Sequence, residues 1–230
     1  MTRLAPIALA LDAPNLETAT KWARSTGPYI STMKIGLETY LRDGDRAIHE
    51  VRDASGGRDI FLDLKLHDIP NTVAGAARSI AHLQPSYLTV HASGGSAMIN
   101  AAVQALPETK VTAVTILTSL DEAELAAIGV KGPALDAACR LAQLAVSAGA
   151  RAIVCSPQEV AAIRACVPAE ITLITPGVRP AGAALGDQAR VATPEQALAD
   201  GADLLVIGRP ITAAVDQEKA AQDISNGLVS

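Results

Sequence analysis

Between Phe61 and Thr72 the sequence sets Asp63, Lys65, His67 and Asp68 in quick succession. Successive residues of a strand point to opposite faces, so Asp63 and Lys65 share one face and Leu62 and Leu64 the other. Asp68 falls just past the strand end, in the loop before the next helix. Lys34 interrupts another apolar run and can reach the same place from the neighbouring strand. Ammonium and carboxylate groups alternating in a poorly solvated site can steady a carbanion or pass a proton. The plainer alternative is an ion-pair network that only closes the strand ends, since buried charges must be paired.

A second constellation lies near the C-terminus. Gly208 and Arg209 follow the apolar run 204–207 and precede Pro210 and Ile211. Glycine permits close backbone approach. The N-terminus of the helix that follows offers N–H groups to an anion, and Arg209 adds a guanidinium fork. Upstream, Thr175, Pro176, Gly177, Val178 and Arg179 start a long connection. It runs through Gly182, Gly186, Asp187 and Gln188 to Thr193 and Pro194. A connection of that length with so many glycines reads as a lid over a ligand. The alternative is an ordinary surface loop with Arg179 in solvent. His91 reads as a neutral strand-end histidine and His67 as structural, with His49 and His82 incidental on helices. Cys155 reads as a buried strand residue and Trp22 as packing.

Positioning these groups takes regular elements. Continuous aliphatic runs predict strands over 7–11, 30–35, 60–64, 87–90, 111–117, 152–154, 171–174 and 204–207. Such runs are the pattern of parallel strands covered on both faces. Helical segments are predicted over 16–26, 44–53, 72–83, 95–106, 132–148, 157–165, 194–200 and 211–224, with a small extra helix near 121–124. Ser156 and Thr193 each precede a proline at a first helical position. Eight alternating strand–helix units, with no linker between them, predict one α/β domain over 1–230, a (β/α)₈ TIM barrel. A doubly wound sheet is the competing fold, but no G-x-G-x-x-G follows the first strand. Barrel chemistry collects at the C-terminal ends of strands, which is where Asp12, Lys34, Asp63, Lys65, Asp68, His91, Thr118, Arg179 and Arg209 fall.

Composition removes several classes. At 49% hydrophobic and 19% charged the chain is no disordered segment. A net charge of -5 argues against wrapping nucleic acid. No apolar stretch reaches the length of a membrane span. The N-terminal apolar run is too short for a signal peptide, ending at Asp12. The three cysteines, Cys139, Cys155 and Cys166, have no metal-site spacing and no even pairing, so a reducing, cytoplasmic setting is expected. No metal and no cofactor is expected.

The motifs together resemble the orotidine 5'-phosphate decarboxylase family. The resemblance rests on residues 63–72, on Leu117 to Ser119, on 175–180, on Gly186 to Gln188 and on 206–210, in that order along the chain. Related sugar-phosphate decarboxylases and aldolases, which use magnesium, share Asp-x-Lys-x-x-Asp and are the alternative reading, against which the run 67–72 and Gly186 to Gln188 argue. The resemblance implies decarboxylation of orotidine 5'-phosphate to UMP in pyrimidine biosynthesis. It also implies a homodimer with active sites shared across the interface. Lys34, Asp63, Lys65 and Asp68 would form the catalytic network, with Lys65 the proton donor to C6. Asp68 would enter from the partner subunit, with Ile69 and Thr72 close by. Asp12 and Lys34 would hold the ribose and Thr118 the pyrimidine. Arg179, Gln188, Gly208 and Arg209 would bind the phosphate.

Overall fold

The computed structural model describes residues 4–179 and 192–229. The expected lid, with Gln188, lies outside the described residues. Eight parallel strands close into a barrel in sequence order. They are β1 (Ala5–Ala10), β2 (Ile30–Gly36), β3 (Asp59–Leu66), β4 (Tyr87–His91), β5 (Lys110–Val114), β6 (Ala152–Val154), β7 (Thr172–Thr175) and β8 (Leu204–Ile207). β8 returns to pair with β1, Ile7 lying opposite Leu205. The predicted (β/α)₈ barrel is therefore the observed fold.

Around the barrel run α1 (Leu16–Thr26), α2 (Leu37–Asp43), α3 (Asp45–Ala54), α4 (Pro70–Ser79), α5 (Gly95–Ala105) and α6 (Glu122–Ala127). They continue with α7 (Ala134–Ser147), α8 (Val160–Cys166), α9 (Pro194–Ala199), α10 (Arg209–Thr212) and α11 (Gln217–Leu228). Strand alternation divides the apolar side chains into two cores. Ile7 and Leu9 on β1, with Leu205 and Ile207 on β8, pack outward into the helix layer. Ala8, Phe61, Ala152, Ile174 and Leu204 fill the barrel interior.

Several predicted boundaries move, each for a local reason. α4 begins at Pro70 rather than at 72, because the fixed φ of proline suits the first helical turn. Pro157 does not start α8. Ser156 donates its backbone N–H to Glu159 at 3.0 Å, and the helix begins only at Val160. The predicted helix 211–224 is two helices, with Asp216 capping the second through Lys219 N–H at 2.9 Å. β5 stops at Val114 rather than at 117, so Thr118 lies in the loop beyond the strand rather than directly at its end. α2 was not predicted at all. Thr193 caps α9 as expected, accepting from Gln196 N–H, and Asp121 forms a capping box with Glu124 at the head of α6.

Candidate active site

A cavity of about 510 Å³ opens at the C-terminal ends of the strands. Asp12, Lys34, Asp63, Lys65, Thr118, Arg179, Gly208 and Arg209 all line it. Phe61, Ile116, Val154 and Val206 supply an apolar wall, while Asp12, Lys34, Asp63 and Lys65 gather on the β1–β3 side.

β3 brings its two charges together through an irregularity. It pairs in register with β4 at Leu62 and Leu88, then again at Leu66 and Val90. β3 thus spends two more residues than β4 between those points. An even insertion preserves the alternation of faces. Asp63 and Lys65 accordingly face the cavity, while Leu62 and Leu64 pack outward. The bulge turns Lys65 into the left-handed region at φ 49°, a conformation costing a non-glycine residue about 1–2 kcal/mol. The Lys65 ammonium donates to Asp63 Oδ1 at 2.8 Å.

Lys34 completes the array. Its Nζ lies 3.4 Å from Asp63 Oδ2 and 3.6 Å from Asp12 Oδ1, and its side chain is only 9% exposed. Burial pushes the Asp63 carboxyl up. The charges of Lys34 and Lys65, with hydrogen bonds from Lys65 and Thr89, outweigh that and hold it below the usual carboxylate range. The carboxylate is therefore ionised at neutral pH between two cations. Gly36 ends β2 beside them. A Cβ there would stand 2.9 Å from Asp12 Oδ1 and 3.1 Å from Lys34 Nζ.

α2 anchors Asp12. Thr39 donates its hydroxyl to the Leu11 carbonyl at 2.7 Å, and Arg42 donates to the Ala13 carbonyl at 2.7 Å. The loop carrying Asp12 is thus clamped on both sides. Thr89 on β4 is a second contributor that sequence reasoning missed. Its hydroxyl joins Lys65 and Asp63, and only its place on the strand beside β3 hinted at this.

Arg179, after β7, and Arg209, after β8, line the same cavity. Arg179 N–H donates to the Ala192 carbonyl at 3.0 Å, and Val178 bridges Ala192, so the two described ends of the connection lie side by side. Arg179 Nε is buried with no hydrogen-bond partner among the described residues. An orphaned buried donor is costly, and an anion in the cavity is the partner it suits. The helix start expected after Gly208 as an anion site offers few free N–H groups. α10 has four residues, Pro210 has no N–H, and the Ile211 and Thr212 N–H groups both return to the Gly208 carbonyl.

Asp68, Ile69 and Thr72 do not join the cavity of their own chain. All three are exposed, Ile69 at 66%, and Asp68 Oδ1 accepts the Ile69 N–H at 2.6 Å. His91 stacks at 5.3 Å from His67. Burial, with His67 and Lys65 nearby, lowers its pKa and keeps it neutral. Cys155 lines the cavity, but burial pushes its thiol far up, which removes it as a nucleophile. Among the described residues no group of His, Cys, Asp or Glu could hold a metal, and no helix is long and apolar enough to cross a membrane.

Fixed charges at the mouth of a closed barrel, in one cavity with two arginines, are the arrangement of a barrel enzyme's site. The profile described as "Orotidine 5'-phosphate decarboxylase / HUMPS family" matches residues 5–224. The chain belongs to that family. A protein named orotidine 5'-phosphate decarboxylase from Thermobifida fusca is 67% identical, covering 97% of this chain and 96% of its own. One of the same name from Frankia casuarinae is 53% identical, covering 97% and 88%. Among solved structures, orotidine 5'-phosphate decarboxylase from Lactobacillus acidophilus superposes with a TM-score of 0.85 at 33% identity, over 98% of this chain and 100% of that one.

Proposed function

We propose that this site decarboxylates orotidine 5'-phosphate to UMP and CO₂ in pyrimidine biosynthesis, using the protein's own charges and no cofactor. The observation that carries the reading is the Lys34–Asp63–Lys65 array, with contacts of 3.4 and 2.8 Å, in one cavity with Arg179 and Arg209. The family includes sugar-phosphate enzymes. The relatives named above, at 53% and 67% identity, carry the decarboxylase name instead.

The C6–carboxylate bond breaks with its electron pair left on C6, in the ring plane where the π system cannot take it up. The Lys65 ammonium, beside C6, stabilises that pair and then donates a proton to it, giving UMP; solvent reprotonates the lysine. Asp63, held ionised, stands against the departing carboxylate and fixes Lys65. Lys34 holds Asp63 and, with Asp12, the ribose hydroxyls. Thr118 meets the pyrimidine. Arg179, Gly208 and Arg209 take the phosphate, joined by Gln188. Binding energy gathered at the phosphate is used at C6.

Asp68 completes the network from a second copy of the chain. Its exposure, with that of Ile69 and Thr72, supports a two-fold dimer in which each β3–α4 loop enters the other subunit's site. We place the enzyme in the cytoplasm, in keeping with three free cysteines. The test is the fall in absorbance on adding orotidine 5'-phosphate, with UMP and CO₂ identified as products. Activity lost to EDTA and restored by magnesium would favour a sugar-phosphate enzyme instead.

A further inference from the structure

The β3 bulge breaks the ladder that should bind Lys65 to β4. Leu62 and Leu66 keep partners on that strand, while the three residues between them face Thr89 alone. A backbone N–H stranded there needs an acceptor. The Thr89 hydroxyl supplies one, taking the Lys65 N–H at 2.8 Å. The same hydroxyl donates to Asp63 Oδ1 at 3.0 Å. Asp63 Oδ1 also receives the Lys65 ammonium at 2.8 Å. One oxygen thus closes a ring running from the Lys65 backbone through Thr89 and Asp63 to the Lys65 side chain.

Three properties suit threonine to this position. A hydroxyl donates once and accepts twice, so it can serve a peptide N–H and a carboxylate together. Its β-branched side chain is stiff at χ1. Thr89 is fully buried, so water does not compete for either bond. The two bonds act on the two features that set the array: the left-handed turn at Lys65 and the direction of Asp63. With Oδ1 occupied by Thr89 and Lys65, Oδ2 is the oxygen presented to Lys34.

We propose that Thr89 is a positioning residue for the reaction: it holds the bulge that aims Lys65 and clamps Asp63 in the orientation that pairs with both lysines. This deepens, and rests on, the decarboxylase reading above. Thr89 touches no reacting atom and acts through Asp63 and Lys65. The groups facing Asp63 are Lys34 from β2, Lys65 from its own strand, and Thr89 and His91 from β4, with Asp12 reached through Lys34. Removing the Thr89 bond takes away one of the interactions that favour the ionised carboxylate, so the Asp63 pKa should rise.

The test compares Thr89→Val, which keeps the shape and removes both bonds, with Thr89→Ser, which keeps the hydroxyl. Thr89→Ala is the alternative where valine fails to fold, circular dichroism being the check. In the full-length enzyme Thr89→Val should lower kcat by about 10- to 100-fold, in the range of a misplaced catalytic group. KM should change less than threefold and Thr89→Ser should recover most of the loss. The Asp63 carboxyl carbon, followed by NMR as pH falls, should titrate at higher pH in Thr89→Val than in the wild type. Wild-type kcat in Thr89→Val with an unmoved Asp63 titration would overturn the proposal. A serine variant as slow as valine would also overturn it, assigning the position to packing of the threonine methyl. The titration needs no turnover. A wild-type protein inert towards orotidine 5'-phosphate would overturn the functional reading alone and leave the titration to judge Thr89.

Discussion

At the level of single residues, the division between chemistry and capture can be tested by removing one group from each end of the cavity. Lys65→Ala should abolish nearly all turnover and leave UMP binding measurable, because the ammonium contacts Asp63 and, in the proposed mechanism, serves C6 rather than the phosphate. Each tenfold loss corresponds to about 1.4 kcal/mol of barrier. Turnover within tenfold of the wild type, measured apart from UMP affinity, would remove Lys65 as the proton donor. Arg209→Ala should cost far more on the nucleotide than on orotidine lacking the phosphate; comparing kcat/KM on the two substrates reads this directly, and equal losses would move Arg209 into the charged network. Most of these residues were legible in the sequence because a charge inside an aliphatic strand is costly unless used or paired. Thr89 was not. Threonine is an ordinary strand residue, and nothing in the sequence announces that its neighbour strand carries two extra residues.

Elements were legible where their own sequence decides them. α1 and the strands β6 and β8 fall where predicted, each bounded by a local signal such as the Asn15 cap on α1. α2 was invisible because it presents no apolar stripe to the core: Leu37 and Leu41 are exposed, and the helix is held by Thr39 and by Arg42 reaching back to the β1–α1 loop. Its reason for existing is tertiary. The join between α1 and α3 is another feature set by packing. Gly27 closes α1, and a Cβ there would lie 2.5 Å from the Ser55 carbonyl oxygen at the end of α3. Backbone cannot yield as a flexible side-chain tip can. Gly27→Ala should therefore destabilise the protein by about 1–3 kcal/mol. That corresponds to roughly 2–12 °C in Tm for a chain of this size. Calorimetry with an unchanged Tm would show that the two helix ends can separate at no cost.

For the whole molecule, the proposed sharing of sites across a two-fold axis makes a quantitative demand. Lys65→Ala and Asp68→Ala should each be inactive alone. In a mixed dimer one site holds both intact groups and the other holds both defects. Equal mixing with free exchange makes about half the dimers mixed, so roughly a quarter of all sites should regain function. If mass measurements confirm exchange and no activity returns, Asp68 works within its own chain. The closed barrel also has a consequence in time. Seven of its eight seams join strands adjacent in sequence, but the eighth joins β1 to β8, with Ile7 against Leu205. During synthesis at about 5–20 residues per second, β1 waits on the order of 10–40 s on the ribosome for its second neighbour. Asp12 and the Gly208–Arg209 turn flank that last seam. The nascent chain thus carries an open strand edge, a surface for chaperones or for misassembly, until the step that also brings Asp12 and Arg209 into one cavity.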